Sequence, residues 1–484
     1  MPDPTGGHPK HRIPSQDSGM VSAFPVTILP QEEGFTRKLF NMEFDEIPGL
    51  IRKRPGILAV DGLPDAAATV KGFHSIVDDD EQVYVVSYGS TVAQAKEGEA
   101  WSSVDPTGWD DASAVRTDFV TQGGRIIATD GVNQPFMWDV NDGTATELTE
   151  MPKGKYLAEH RTRLLTAGMA DDPLLLRVSH PGDPTSWDPY DLTQRAFEIY
   201  AGDDKLVTAL LALDDFVLIG KDRSLYALVG TTTADFSIFP LDRTLGIGSH
   251  WAAKFINGRA YFPDQHGNIY QLEPGTMPEK ISGPIRDIVD QVNTDRLGEA
   301  TAAVLRSDQY QVSLPVDASD FVTVVYDTTR GRWRQWGTHI LHSAESKDYF
   351  GSYVIASSDD KQVCKYEQGR LRDYTDSAIE AYVDSLELHF AVPELVKEIN
   401  SLWLGCWVSD NDYQVVVYSR TDMGEWSQMG TGVDVSGNEN DYQRVRVPIG
   451  ATGRNIQFRL ENENLDEDMR LLDMLVTFLP RELE

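Results

Sequence analysis

Hydrophobic and polar positions alternate in short runs through most of the chain, and turn-forming residues separate the runs. The best-defined case is Trp251–Leu272. Its alternation predicts three short strands: one before Asn257–Gly258, a middle one containing Tyr261 and Phe262, and a third over Ile269–Leu272. Asn-Gly suits a two-residue hairpin turn, because both central positions need φ > 0. Gly267–Asn268 supplies the second turn. A meander of this size cannot bury both of its faces alone, so it must pack against others.

The same pattern returns along the chain. It occurs at Val83–Tyr88, at Gly124–Ala128 closing with Phe136–Asp139, and at Arg161–Leu165 closing with Leu174–Val178. It recurs at Asp215–Ile219 closing with Leu225–Val229, and at Gln309–Ser313 closing with Phe321–Tyr326. The last copy is Gly351–Ile355, closing with Val363–Tyr366. The step between copies is roughly 40 to 55 residues, the interval of four-stranded propeller blades. The fold class predicted is all-β: a β-propeller of six or seven blades, with one blade completed by strands from both ends of the chain. One stretch breaks the pattern. Ile285, Ile288, Val289 and Val292 after Pro284 follow helical spacing and predict a small inserted helix packed on the propeller.

From about Asp376 the runs lengthen. Strands are predicted at Ala381–Phe390, Ile399–Val408, Val415–Tyr418, Tyr442–Val447, Ile456–Leu460 and Leu471–Phe478. They imply a C-terminal β-sandwich. The start, Met1–Gly19, is polar and proline-rich and lacks a secretory hydrophobic segment; it reads as a disordered or extended tail, with Met20 a second conceivable start. The domain plan is therefore a tail over 1–23, an extended lead-in over 24–60, a propeller over 61–375 and a sandwich over 376–484. The lead-in carries a basic knot, Arg52, Lys53 and Arg54. It is either a solvated turn or a contact to an acidic neighbouring subunit.

Charge narrows the function. The 484-residue chain has a formal net charge of −33. That argues against a general nucleic-acid binder, which needs a basic face, though not against a surface that nucleic acid slides past. Cys364 and Cys406 form neither a metal spacing nor a disulfide framework. No run approaches the ~18 apolar residues of a membrane span, so no membrane anchor is expected. Nucleophile elbows, Walker loops, dinucleotide fingerprints and zinc signatures are missing, so no catalytic, cofactor or metal residues are assigned. Asp78–Glu81 reads as an exposed acidic turn ahead of a strand. Ser419–Trp426 is a degenerate echo of a sialidase Asp-box turn and reads as a hairpin with a packed Trp426. Arg161, Arg163, Arg330, Arg332 and Arg334 are candidates for a sialidase arginine cluster only by being arginines. In Tyr326–Trp336 the tryptophans Trp333 and Trp336 are expected to pack while the arginines face outward. His180–Asp183, with Pro184 and Trp187–Asp188, reads as a rigid structural loop.

Asn41–Met42, Pro48–Gly49 and Arg54–Pro55–Gly56–Ile57, followed in order by Arg161–Leu164, His180–Pro181, Asp215–Ile219, Thr231–Thr233, Gly246–Ile247, Pro284–Ile285 and Tyr310–Pro315, form a series over Phe24 to Leu479. This series resembles the tail nozzle, or tail hub, proteins of short-tailed bacteriophages, also called head-completion or DNA-packaging stabilisation proteins. The resemblance implies a virion structural protein without enzymatic activity or cofactor, assembled in the host cytoplasm. It further implies a homo-oligomeric, usually hexameric, ring below the portal and its adaptor, which retains packaged double-stranded DNA and passes it through the lumen. The strong acidity and the polar tail depart from the family's pattern. The competing expectation is a propeller that binds or hydrolyses glycans, with the sandwich as a carbohydrate-binding module.

Overall fold

The computed structural model describes residues 10–13, 18–22, 36–62, 70–78, 81–96, 99–104, 109, 116–141, 144–188, 190, 195–199, 206–344, 353–355, 362–367, 369–374, 377–390, 392–409, 411–438 and 441–481. Seven four-stranded antiparallel units stand in sequence. Their innermost strands are Val70–Asp78, Asp118–Gln122, Tyr156–His160, Val207–Ala212, Lys254–Ile256, Thr301–Leu305 and His342–Ala344. Each contacts the next, and the last contacts the first. The chain is therefore a closed seven-bladed β-propeller.

Closure follows from how the apolar faces pair. Each blade is hydrophobic on both faces and buries them on its neighbours, so a ring leaves only short outer edges. Between the first and last blades, Val70, Phe73 and Tyr84 pack with Ala344 and Val363. The seventh blade is assembled from both ends of the chain, as expected. Its strands His342–Ala344, Tyr353–Ile355 and Gln362–Glu367 are completed by Gly56–Gly62, which pairs antiparallel with the last of them. The Trp251–Leu272 meander is the fifth blade. Asn257 and Gly258 have φ of 49° and 79°, as the hairpin turn requires.

Strands form at all six predicted C-terminal positions, the first ending at Ser385 instead of Phe390 and the other five running longer than expected. One sandwich sheet runs Met42–Phe44, Ile51–Lys53, Arg470–Arg481, Val396–Trp407 and Tyr442–Gly453, with Lys10–Ile13 also paired to Arg470–Arg481. The facing sheet continues the sixth blade. Thr36–Phe40 lies parallel to the blade's outer strand, Arg332–Trp336, and antiparallel to Ala381–Ser385. Ile456–Asn462 and Tyr413–Thr421 follow. Propeller and sandwich thus share one ten-stranded sheet and one core, in which Tyr310 and Trp333 of the sixth blade join Leu404, Phe458 and Val476 of the sandwich.

The lead-in over 24–60 is extended in its described part, where it supplies strands to both sandwich sheets and to the seventh blade. Lys10–Ile13 shows that part of the tail is extended. The inserted helix is real but short. A 3₁₀ turn at Gly283–Ile285 leads into Arg286–Val289, and Ile285, Ile288 and Val289 enter the shared core. Gly351 and Ser352 of the last predicted repeat, Asp79 and Asp80 of the acidic turn, and 24–35 of the lead-in lie outside the described residues.

Candidate functional site

The predicted subunit-contact residues are brought together at the seam between propeller and sandwich. Asn41, at φ 52°, carries the chain from one sandwich sheet to the other. Its side-chain oxygen accepts from Arg54 Nε at 2.9 Å and from the Gly337 amide at 2.8 Å, and its amide donates to the Glu380 carbonyl at 2.7 Å. Arg54, 2% exposed, forms a two-pronged pair with Asp373, Nη1–Oδ1 2.9 Å and Nη2–Oδ2 2.5 Å, and lies over the Trp336 ring. Burial opposes its charge, but Asp373 outweighs burial and the guanidinium is held above its ordinary pKa. Gly56 follows because a Cβ there would sit 2.0 Å from the Arg372 carbonyl oxygen.

Lys53 is 1% exposed. Its Nζ donates to Asn462 Oδ1 at 2.7 Å and to the Asn464 carbonyl at 3.1 Å. Burial pushes it down to about 8. Arg52 is only partly buried and pairs with Glu43 at 2.7 Å and Asp45 at 3.4 Å. Lys53 and Arg54 are therefore neither a solvated turn nor available to a neighbouring subunit. Both act inside the chain, a correction that follows from the β-pairing of Ile51–Lys53 with Arg470–Arg481.

The Trp333–Trp336 hairpin needs a second correction. Trp333 and Trp336 are buried, as expected, but so is Arg334, at 0% exposure. Residues three apart on a strand point to opposite faces. Arg334 therefore shares a face with Trp336, and its guanidinium also lies over Phe44. Arg163 is buried too and donates to the Ser179 carbonyl, while Arg161 faces Asp215 in a different blade from Arg330. The five arginines do not converge on one carboxylate-binding site.

Two loops behave as read. At Ser419–Trp426, Asp422 caps the amides of Arg454 and Asn455, and Trp426 stacks between Arg420 and Arg459. In the His180 loop, Trp187 is buried and donates to the Pro184 carbonyl at 2.6 Å. Cys364 and Cys406 are both buried, and neither is in a disulfide among the described residues.

On the propeller axis the inner strands enclose a cavity of about 440 Å3 lined by Phe73, His74, Asp118, Phe119, His250 and Trp251 among others. It contains an Asp–His pair, with His250 Nε2 3.0 Å from Asp118 Oδ2. The Leu210 amide donates to His250 Nδ1 at 3.3 Å, so the ring proton sits on Nε2 and points at Asp118. Asp118 also accepts the amides of Leu157 at 2.6 Å and Phe119 at 3.0 Å. Both imidazole nitrogens are engaged, leaving neither to take a proton from a nucleophile or water. The pair locks the second, third and fourth blades to the His250 turn. Among the described residues, no group of three His, Cys, Asp or Glu could hold a metal ion, and no helix is long and apolar enough to cross a membrane.

Three histidines near this axis and its rim are kept neutral. Burial pushes His74 and His339 down to about 4 and His342 to about 3. The unfolded chain takes up these protons near pH 6.5, whereas the folded chain waits until about 4 or below. Between those values the unfolded state binds more protons, so stability falls as pH drops from about 6.5 toward 4. Urea midpoints measured at pH 7 and pH 5 are expected to show this loss. His342→Gln, which retains a donor for the Val70 carbonyl, should make the fall shallower; an equal fall in the variant would contradict the assignment.

No protein-family profile matches the sequence, and no curated protein matches it. Similarity appears among solved structures. YCF48 bound to D1 peptide is 11% identical, with 65% of this chain covering 99% of that one at a TM-score of 0.44. The WD40 β-propeller domain of Doa1 is 10% identical, covering 65% of this chain and 99% of that one at 0.41. The Neurospora crassa Pan2 WD40 domain is 9% identical, covering 66% and 96% at 0.40. With TM-scores below 0.5 these likenesses carry no argument by themselves; the chain's own sheets make it an all-β protein built on a β-propeller.

Proposed function

We propose that this chain is a structural protein of a bacteriophage virion, a ring-forming tail nozzle that sits below the portal and its adaptor. In this reading it retains packaged DNA and provides the channel for its ejection. One observation carries the reading: the segment holding the Asn41–Met42 and Arg54–Pro55–Gly56 motifs is the seam that fuses propeller and sandwich through a continuous sheet. Such a fused body suits a load-bearing wall. The axial cavity suits a wall as well, since its Asp–His pair is consumed by internal hydrogen bonds.

The geometry bears on the route of DNA. The axial cavity of about 440 Å3 is smaller than a single base-pair step of duplex DNA, which at a rise of about 3.4 Å fills roughly 1,000 Å3. DNA would not thread the propeller. It would pass through the lumen between copies. A chain of net charge −33 lining that lumen would repel phosphates at every position alike, so the duplex slides instead of sticking. The test is genome retention. Phage particles assembled without this chain should lose packaged DNA to added nuclease, and adding the purified protein should restore protection. Full retention in its absence would overturn the proposal.

A further inference from the structure

The outer face of the first sandwich sheet has a composition unlike the rest of the chain. Strand register aligns Arg12, Leu475, Trp403 and Arg446 in one row across four strands. The row on one side contains Lys10, Thr477, Ser401 and Pro448, and the row on the other contains Asp473, Gly405 and Arg444. The opposite face, with Leu402, Leu404, Met474 and Val476, belongs to the core. In these rows Lys10, Arg12, Arg444 and Arg446 thus stand against Asp473, and farther along the same face Glu398 is paired with Arg481, so cations outnumber carboxylates there in a chain with 76 acidic and 43 basic residues.

That carboxylate is built in. Gly405 leaves room for it, since a Cβ there would sit 2.1 Å from Asp473 Oδ1. Arg444 at 2.9 Å and Arg12 at 3.0 Å share Asp473, which is buried beneath them. Arg446 lies exposed over the half-buried Trp403 ring. Arg, Trp and Tyr are the residue types that dominate binding hot spots, and Tyr442 lies exposed at the end of the same strand. Three strands of 12 residues span about 40 Å by about 14 Å, roughly 600 Å2, most of the ~800 Å2 per partner of a standard interface.

We infer that this face is a docking surface for an acidic region of a second copy of the same chain, a reading that rests on the ring-forming function proposed above. The charges set the symmetry. Two such faces cannot pair with each other, because four cations would meet four cations. The basic face must instead meet a different, acidic surface on its neighbour. That is a head-to-tail contact, the kind that closes into a ring. Pro448 within the outer strand Tyr442–Gly453 discourages docking through the strand's edge, which leaves the face as the binding surface.

The test uses the full-length protein, with light scattering and negative-stain microscopy across a concentration series. Arg446→Glu is the main variant, because its side chain lies over Trp403 and is in no ion pair among the described residues. Arg446→Gln is the milder one should the first fail to fold, and thermal melting checks both. The expected result is a ring for the wild type. Arg446→Glu with an unchanged melt should need at least tenfold more protein for half-assembly. Raising salt to 1 M, which shortens the screening length to about 3 Å, should weaken the wild type in the same direction. Well-folded variants that still form the wild-type ring would overturn this surface while leaving the ring reading intact. A wild type that stays monomeric at every concentration would overturn both.

Discussion

Replacing Arg54 with alanine is expected to lower the unfolding free energy by about 3–5 kcal/mol, the range for breaking a buried ion pair from one side. The physical reason lies in what stays behind. Asp373 would keep its carboxylate largely buried with both hydrogen bonds from Arg54 gone, and Asn41 would lose one of its two donors. The Trp336 ring would lose the cation above it. Lysine should rescue little of this, since an ammonium cannot reproduce the two-pronged geometry. Urea denaturation of the wild type, Arg54→Ala and Arg54→Lys would measure the effect. A change below about 1 kcal/mol, the value of an exposed pair, would mean that the pair does not hold the seam.

The second large effect concerns the whole N-terminal segment. Removing residues 1–62 should abolish cooperative folding. The deletion takes the outer strand of the seventh blade, Gly56–Gly62, and so leaves the ring without its closing strand. It also takes Thr36–Phe40, which links the sixth blade to the sandwich, and the pair Met42–Phe44 and Ile51–Lys53 from the other sheet. Removing only residues 1–13 should be far milder, because it costs the edge strand Lys10–Ile13 and its contacts while leaving closure and seam in place. Circular dichroism and size-exclusion profiles of the two truncations distinguish the cases. A compact, cooperatively melting 63–484 fragment would contradict the role assigned to this segment.

Much of the propeller was legible because its signals are local. Asn257–Gly258 announces its own hairpin, and runs such as Phe216–Lys221 and Leu225–Val229 are short apolar strands only a few residues apart, with a turn between them. The C-terminal strands were legible for the same reason, though Tyr442–Gly453 extends well beyond its predicted end: Ile449 and Ala451 keep the inward period of Val445 and Val447, but Pro448 and Gly450 between them read as a turn. What stayed hidden is pairing across long separations. Thr36–Phe40 and Ile51–Lys53 are short, and their partners lie about Gln335, Tyr382 and Leu471. Nothing near them in the sequence marks a strand. A cluster such as Arg52–Arg54 then looks like a surface feature, when register turns Lys53 and Arg54 inward toward Asn462 and Asp373. Arg334 was misjudged for a geometric reason: Trp333 and Trp336 cannot occupy the same face of one strand, so one of them had to share its face with an arginine. The basic row Arg12, Trp403 and Arg446 was invisible for the same reason as the seam, since it exists only once four strands are aligned.

In the proposed function this fused propeller–sandwich body builds the wall of a channel. The mass and shape of the purified full-length protein test that claim most directly, by light scattering combined with negative-stain microscopy. The account predicts a closed ring, close to six times the 53.9 kDa chain mass, whose central opening is wide enough for a duplex while each propeller axis stays too narrow for one. A particle of one chain mass at every concentration and salt, in both purified and virion-extracted material, would contradict it.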